Sequence, residues 1–341
     1  MMAPMDHGAP PFLPPHPRGY VCYRAPSPPL IDGKLDDLVW EAAPWTDLHC
    51  DIEGSLKPDP PLATREKLLW DDDFLYIGAE LEEPHVWATL TEHDSVIFRD
   101  NDFEIFIDPD GDGQEYYELE VNAFGTLWDL LLTKAYKDGG SAVTGWEAKG
   151  IRVAVHVNGT INDPTDVDLG WTLEVAIPWN ALADCAHRRT PPLPGDQWRI
   201  NFSRVEWDVA IQDGRYVKIP GRPEHNWIWS PQWVVDMHRP ETWGYLQFSS
   251  DTSGSDGFVL DPHWEVRVAL HRIYYAQRAF RRESGRWARE ISELQLGPFP
   301  DPQPELCVTP SLFEASIRTT SPLGETKTWR IAADGRFWSD E

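Results

Sequence analysis

No apolar run in the 341 residues approaches the roughly 18 that a membrane-spanning helix requires. Basic residues are scarce: 30 Lys and Arg stand against 56 Asp and Glu, a net charge of −26 at pH 7. Such a surface repels phosphate backbones and anionic lipid, which argues against a nucleic-acid partner and against membrane insertion. Cysteine is nearly absent. Cys22, Cys50, Cys185 and Cys307 are widely spaced with no C-x-x-C, so they form neither a zinc motif nor a disulfide framework. Also missing are G-x-S-x-G, H-E-x-x-H, Walker and G-x-G-x-x-G patterns, which removes the usual support for nucleophilic, zinc-hydrolase, phosphate-loop and dinucleotide chemistry. The first twenty residues carry no basic n-region and no apolar h-region, and read as a mobile Pro-rich tail over 1–19 rather than an export signal. Taken as complete, that start implies a cytoplasmic protein.

What is abundant is tryptophan, 18 residues, and proline, 31. Flat amphipathic side chains on a framework rich in turns suit either large β-cores or stacking on a ligand face. Short alternating or β-branched runs follow one another through Thr64–Trp70, Phe74–Glu80, Phe103–Asp108, Tyr116–Asn122, Ile151–Val157, Trp171–Ile177 and Trp198–Val205. They predict a mainly β fold, a two-sheet antiparallel β-sandwich of jelly-roll or immunoglobulin-like type over 20–248. Within Tyr116–Asn122, a period of two places Tyr116, Glu118, Glu120 and Asn122 on one polar face and Tyr117, Leu119 and Val121 on the core face. Residues 249–257 (SSDTSGSDG) read as a linker. Beyond it, a helix over 262–282 followed by short strands predicts a small C-terminal α+β appendage over 258–341.

Asp108-Pro-Asp110-Gly-Asp112-Gly113 repeats the opening of a calcium loop, with carboxylates at positions 1, 3 and 5 and glycine at 6. Position 12 is Leu119 and the following residues read as strand, so the segment is no EF-hand. Structural calcium on Asp108, Asp110 and Asp112 and a plain hairpin turn are both open at this point. Asp102 and Glu104 alternate on one strand face about 6.6–7 Å apart, a spacing that a glycoside hydrolase or lyase could use.

The series Ile31-Asp32-Gly33-Lys34-Leu35-Asp36-Asp37 with Trp40, LLWDDDFLYIGAEL (68–81), DNDFEIFIDPDGDG (100–113), YYELEVNA (116–123), WTLEVAIPW (171–179) and RPETWGYLQF (239–248) resembles the family 9 carbohydrate-binding module in content and order. The resemblance covers about residues 28–248. It implies a sandwich of the kind attached to secreted xylanases, an extracellular or periplasmic setting, frequent structural calcium, and a saccharide or polysaccharide held between aromatic rings. Glu104 matches the glutamate that holds sugar hydroxyls, and Asn122 a polar neighbour. Phe98 stands where the family places a tryptophan, Glu120 where it places an arginine, and Met237 where it places a second tryptophan, with Trp229 and Trp233 nearby. The expected ligand set is therefore Phe98, Trp128 and Trp233 as rings, with Arg99, Glu104, Glu120, Asn122 and Arg204 as polar contacts. Non-catalytic sugar binding is the leading expectation. Its alternatives are the Asp102/Glu104 hydrolase or lyase and a protein-interaction scaffold that has lost its sugar.

Overall fold

The computed structural model describes residues 14–252, 254–299, 302–320 and 326–340. Two sheets form its larger part. The first runs Ala142–Val143, Leu127–Lys134, Gln114–Asn122, Asp102–Asp108, Gln197–Glu206, Gly244–Phe248 and Gly19–Arg24; the second runs from Gly19–Arg24 through Thr64–Trp70, Phe74–Glu82 and Gly170–Pro178 to Arg152–Asn158. The strand Gly19–Arg24 belongs to both. Gly19 to Cys22 pair with Tyr245 to Phe248, and Tyr23 and Arg24 pair with Leu69 and Trp70, in both cases parallel. This is the departure from the expected antiparallel sandwich, since the remaining neighbours in the two sheets are antiparallel.

The core lies between the sheets, built by the inward residues of each alternation: Phe103, Ile105 and Ile107, Tyr117, Leu119 and Val121, against Leu75, Ile77, Leu173, Val175 and Ile177. Trp70, Trp171, Trp179, Trp198 and Trp229 complete it, so much of the tryptophan content is structural. Each such buried side chain contributes about 1.5–3 kcal/mol. The Ile31–Trp40 motif packs on the outer face of the second sheet, where a Cβ on Gly78 would come within 2.5 Å of Leu35 Cδ2. Glu174 fixes it there, accepting from the Asp32 and Gly33 backbone N–H groups and from Trp40 Nε1, each at 2.8 Å.

The C-terminal part is the expected α+β unit. A helix over Trp264–Ser284 ends at Gly285, whose φ of 74° is the left-handed conformation that glycine adopts without strain. Leu270, Ile273 and Tyr274 pack with Ala315, Ile317, Ile331 and Phe337 of a four-stranded meander, Glu305–Val308, Phe313–Thr320, Thr326–Ala332 and Phe337–Ser339.

The appendage is not tethered loosely. Ser249 N donates to Cys22 O at 2.9 Å, Tyr23 Oη to Asp256 O at 2.6 Å, and Gln247 Nε2 to Gly257 O at 3.0 Å. The two ends of this stretch, Ser249 at one and Asp256 and Gly257 at the other, therefore extend the sandwich's hydrogen bonding, which their small polar composition had suggested they would not do. The mobile-tail expectation falls mostly on residues 1–13, outside the described residues. The rest of that stretch is packed: His16 stacks on Tyr245 with centroids 5.0 Å apart, and its Nε2 accepts from Asp261 N at 3.0 Å.

Candidate functional site

The outward face of the first sheet carries the other half of each alternation. Glu104 lies opposite Glu120 in register, Glu120 opposite Trp128, and Ser203 opposite Glu104. Asp102, Glu104, Glu118 and Glu120 thus share one face of two adjacent strands, and all four are buried, 0–5% exposed. One carboxylate oxygen from each of Asp102, Glu104 and Glu120 lies within 4.8 Å of the others. Asp102 Oδ2, Glu104 Oε2 and Glu118 Oε2 are buried without a hydrogen-bond partner. Burial first, and then mutual repulsion, holds Asp102, Glu118 and Glu120 well above the usual carboxylate range; burial pushes Glu104 up to about 7.

Beside these oxygens lies a ring ledge. Phe98, 38% exposed, stacks with half-buried Trp128 at a centroid distance of 6.4 Å and 28° between planes. The Phe98 N–H donates to Glu120 Oε2 at 2.9 Å, and the Phe98 carbonyl accepts from Trp207 Nε1 at 2.9 Å. Lys218 Nζ sits 3.5 Å from the Trp207 ring centroid, and Arg99 is exposed on the same short turn as Phe98. Met237 joins Trp128 on an apolar cluster of Phe106, Tyr116, Leu130, Leu132 and Trp243.

The structure therefore brings together Phe98, Arg99, Glu104, Glu120 and Trp128. Three expected ligands are placed otherwise. Asn122 is fully engaged: its Nδ2 donates to Leu90 O and Asp100 Oδ2, and its Oδ1 accepts from Phe124 N and Thr126 N. An amide has no further capacity, so this side chain organises the turn. Arg204 lies opposite Phe103, hence on the inward side of the sheet, where its guanidinium meets Glu83 at 2.8 Å, Glu206 at 2.9 Å and the Glu82 carbonyl at 2.8 Å. Trp233 is 6% exposed and adopts a φ of 60°. Its ring fills the space over Gly54, where a Cβ would stand 2.9 Å from Trp233 Nε1. Trp207 and Lys218 were missed, and Glu118 was placed on the polar face but not counted as a site residue; an aromatic residue one step past a strand end is the signal that could have found Trp207.

About 13 Å along the strand from Glu104, the Asp108–Gly113 loop turns with Gly111 and Gly113 at φ of 70° and 83°. One oxygen of each of Asp108, Asp110 and Asp112 lies within 4.8 Å of the others, a donor set that fits a hard cation. The loop is also well satisfied by itself. Asp108 accepts from Gly111 N at 2.8 Å and Gly113 N at 2.9 Å, and Asp112 accepts from Gln114 N at 2.8 Å and Arg336 Nε at 3.0 Å.

Residues 31–214 match the family described as carbohydrate family 9 binding domain-like. Similar solved structures include a candidate carbohydrate-binding protein of Bacteroides uniformis, 19% identical, covering 68% of this chain and 100% of that one at a TM-score of 0.49. A family 9 carbohydrate binding module of Caldicellulosiruptor kristjanssonii is similar in complex with cellotriose (16% identity, 71% of this chain, 100% of that one, TM-score 0.41) and with glucose (17%, 70%, 98%, 0.42). No curated protein matches the chain. Because the family match spans more than half of the 341 residues and contains both the ring ledge and the carboxylate face, the chain belongs to the carbohydrate family 9 binding domain-like family.

Proposed function

We propose that this chain binds a saccharide, without cleaving it, at the outward face of the first sheet. The observation that supports the reading best is the exposed Phe98 ring, stacked on Trp128 and tied through its own N–H to Glu120. A pyranose offers apolar C–H faces with a rim of hydroxyls, and so suits a ring ledge flanked by oxygen acceptors. In this reading Phe98 and Trp128 carry the sugar face, Glu104 and Glu120 accept its hydroxyls, and Arg99 reaches it from the rim. Calcium on Asp108, Asp110 and Asp112 would serve only to fasten the loop between the two strands.

Bond cleavage is less well supported. Asp102, one of the two carboxyls that a cleavage mechanism would use, is fully buried, out of reach of a scissile bond. Calorimetric titration with mono-, di- and oligosaccharides, glucose and cellotriose among them, tests the proposal. Heat together with a tryptophan fluorescence change is the expected result. Silence across the panel would sink the reading and favour a scaffold that binds protein instead.

A further inference from the structure

We infer that His93, Asp94 and Glu147 form a binding site for a divalent transition metal of the zinc class, with Asp129 as the buried carboxylate behind it. Three segments meet there. Asp94 N donates to Leu127 O at 3.2 Å, which lays the 92–95 turn against the strand Leu127–Lys134. Ala148 N donates to Asp129 Oδ2 and brings the 144–148 segment to the same strand. A single atom, His93 Nε2, then faces three carboxylates: Glu147 Oε2 at 3.2 Å, and Asp94 Oδ1 and Asp129 Oδ1 at 3.5 Å each. Donor atoms held about 2.0–2.1 Å from a tetrahedral zinc stand about 3.3–3.4 Å apart, so these spacings suit a coordination shell. Ligand atoms of His93, Asp94 and Glu147 also lie within 4.8 Å of one another. All three side chains are exposed, so small rotations draw them onto one ion.

Ion pairing alone leaves this cluster unfinished. One Nε2–H makes one good hydrogen bond, and Glu147 Oε2 accepts it. The independent observation is Asp129 Oδ1. Its side chain is 1% exposed, the atom has no hydrogen-bond partner among the described residues, and it is aimed at His93. Buried carboxylate oxygens are ordinarily paired, so a donor is missing at this spot. A zinc-bound water would supply it, since three protein ligands and one water complete a tetrahedral shell and outer carboxylates steady such groups. The metal would take the place of the Nε2 proton. The imidazole selects zinc over calcium, which takes oxygen ligands alone. Neither the ring ledge nor the Asp108–Asp112 loop contributes a ligand, and the inference does not rest on saccharide binding.

The test is calorimetric titration of zinc chloride into the chelator-treated full chain, with excess calcium chloride present to fill sites built of oxygen alone. The wild type is compared with H93A, D129N and D110N. Wild type is expected to bind one zinc equivalent that H93A loses and D110N keeps, and D129N should weaken it at least tenfold, the scale of a lost outer carboxylate. His93 is exposed, so H93A should fold. Should buried D129N fail to fold, E147Q serves in its place and should weaken the same equivalent at least as much. A wild type that takes up no zinc, an H93A variant that titrates like it, or loss of the equivalent in D110N would overturn the site.

Discussion

The N–H of Phe98 points at Glu120 Oε2 from 2.9 Å, so the exposed ring and the buried carboxylate are parts of one device. Moving either displaces the other. The first expectation follows for F98A, which removes the ring yet keeps the backbone donor. Saccharide affinity should fall about tenfold or more, the scale of a lost stacking contact, with little change in melting temperature because Phe98 is 38% exposed. Titration and thermal melts on one preparation check both halves.

Calcium in the Asp108–Asp112 loop should raise the melting temperature, since a ligand bound only by the folded state stabilises it by mass action. D110N should shrink the increment while preserving the fold, because Asp110 is partly exposed. Melting with calcium and with chelator measures it; curves that coincide would leave the loop a self-satisfied turn.

Glu174 holds three N–H donors of the Ile31–Trp40 segment. E174A should cost about 3–5 kcal/mol in urea denaturation, since it strands buried donors, and E174Q should cost less because it keeps an acceptor. Neither change touches the ring ledge, so saccharide affinity measured on the folded fraction should hold.

Acid should destabilise the fold through His238. Burial holds its ring down to about 4 from an ordinary 6.5, against the opposing pull of Asp236, and Lys137 adds to the depression. Tyr116 Oη lies 2.9 Å from its Nδ1. Between pH 6.5 and 4 the unfolded chain binds the proton that the folded one refuses, so stability drops as pH falls, by up to about 3 kcal/mol from this group. Carboxyls raised by burial, such as Asp112 at about 6, lean the opposite way, losing stability as pH rises. The difference between wild type and H238Q isolates the histidine: the variant's acid limb should be flatter.

Parity along a strand was readable, and it placed Tyr116, Glu118, Glu120 and Asn122 opposite Tyr117, Leu119 and Val121 as observed. What covers the polar face was not. Trp243 and Met237, from a distant loop, pack over the same sheet face and help turn an expected open surface into a buried one. Arg204 shows a second limit. A strand's faces can be told apart from sequence, but which one looks inward depends on its register, and only pairing with Phe103 decides that Arg204 faces the interior. Trp233 shows a third, since a positive φ beside Gly54 has no signature in residue type. The reading of 249–257 as a linker did not foresee that Ser249 and Asp256 hydrogen-bond through their main chains to Cys22 and Tyr23, contacts to which composition is blind.

The shared first strand has an implication for biogenesis. Gly19 finds its neighbour Tyr245 only after more than two hundred intervening residues have been made, and closing such a distant contact is slow. On the ribosome, any nascent chain shorter than Phe248 must carry Gly19–Cys22 without its partner, leaving a bare strand edge of the kind that recruits chaperones or stray strands. Stalled or prematurely terminated translation products should therefore be the sticky species of this protein, while the finished chain stays well behaved.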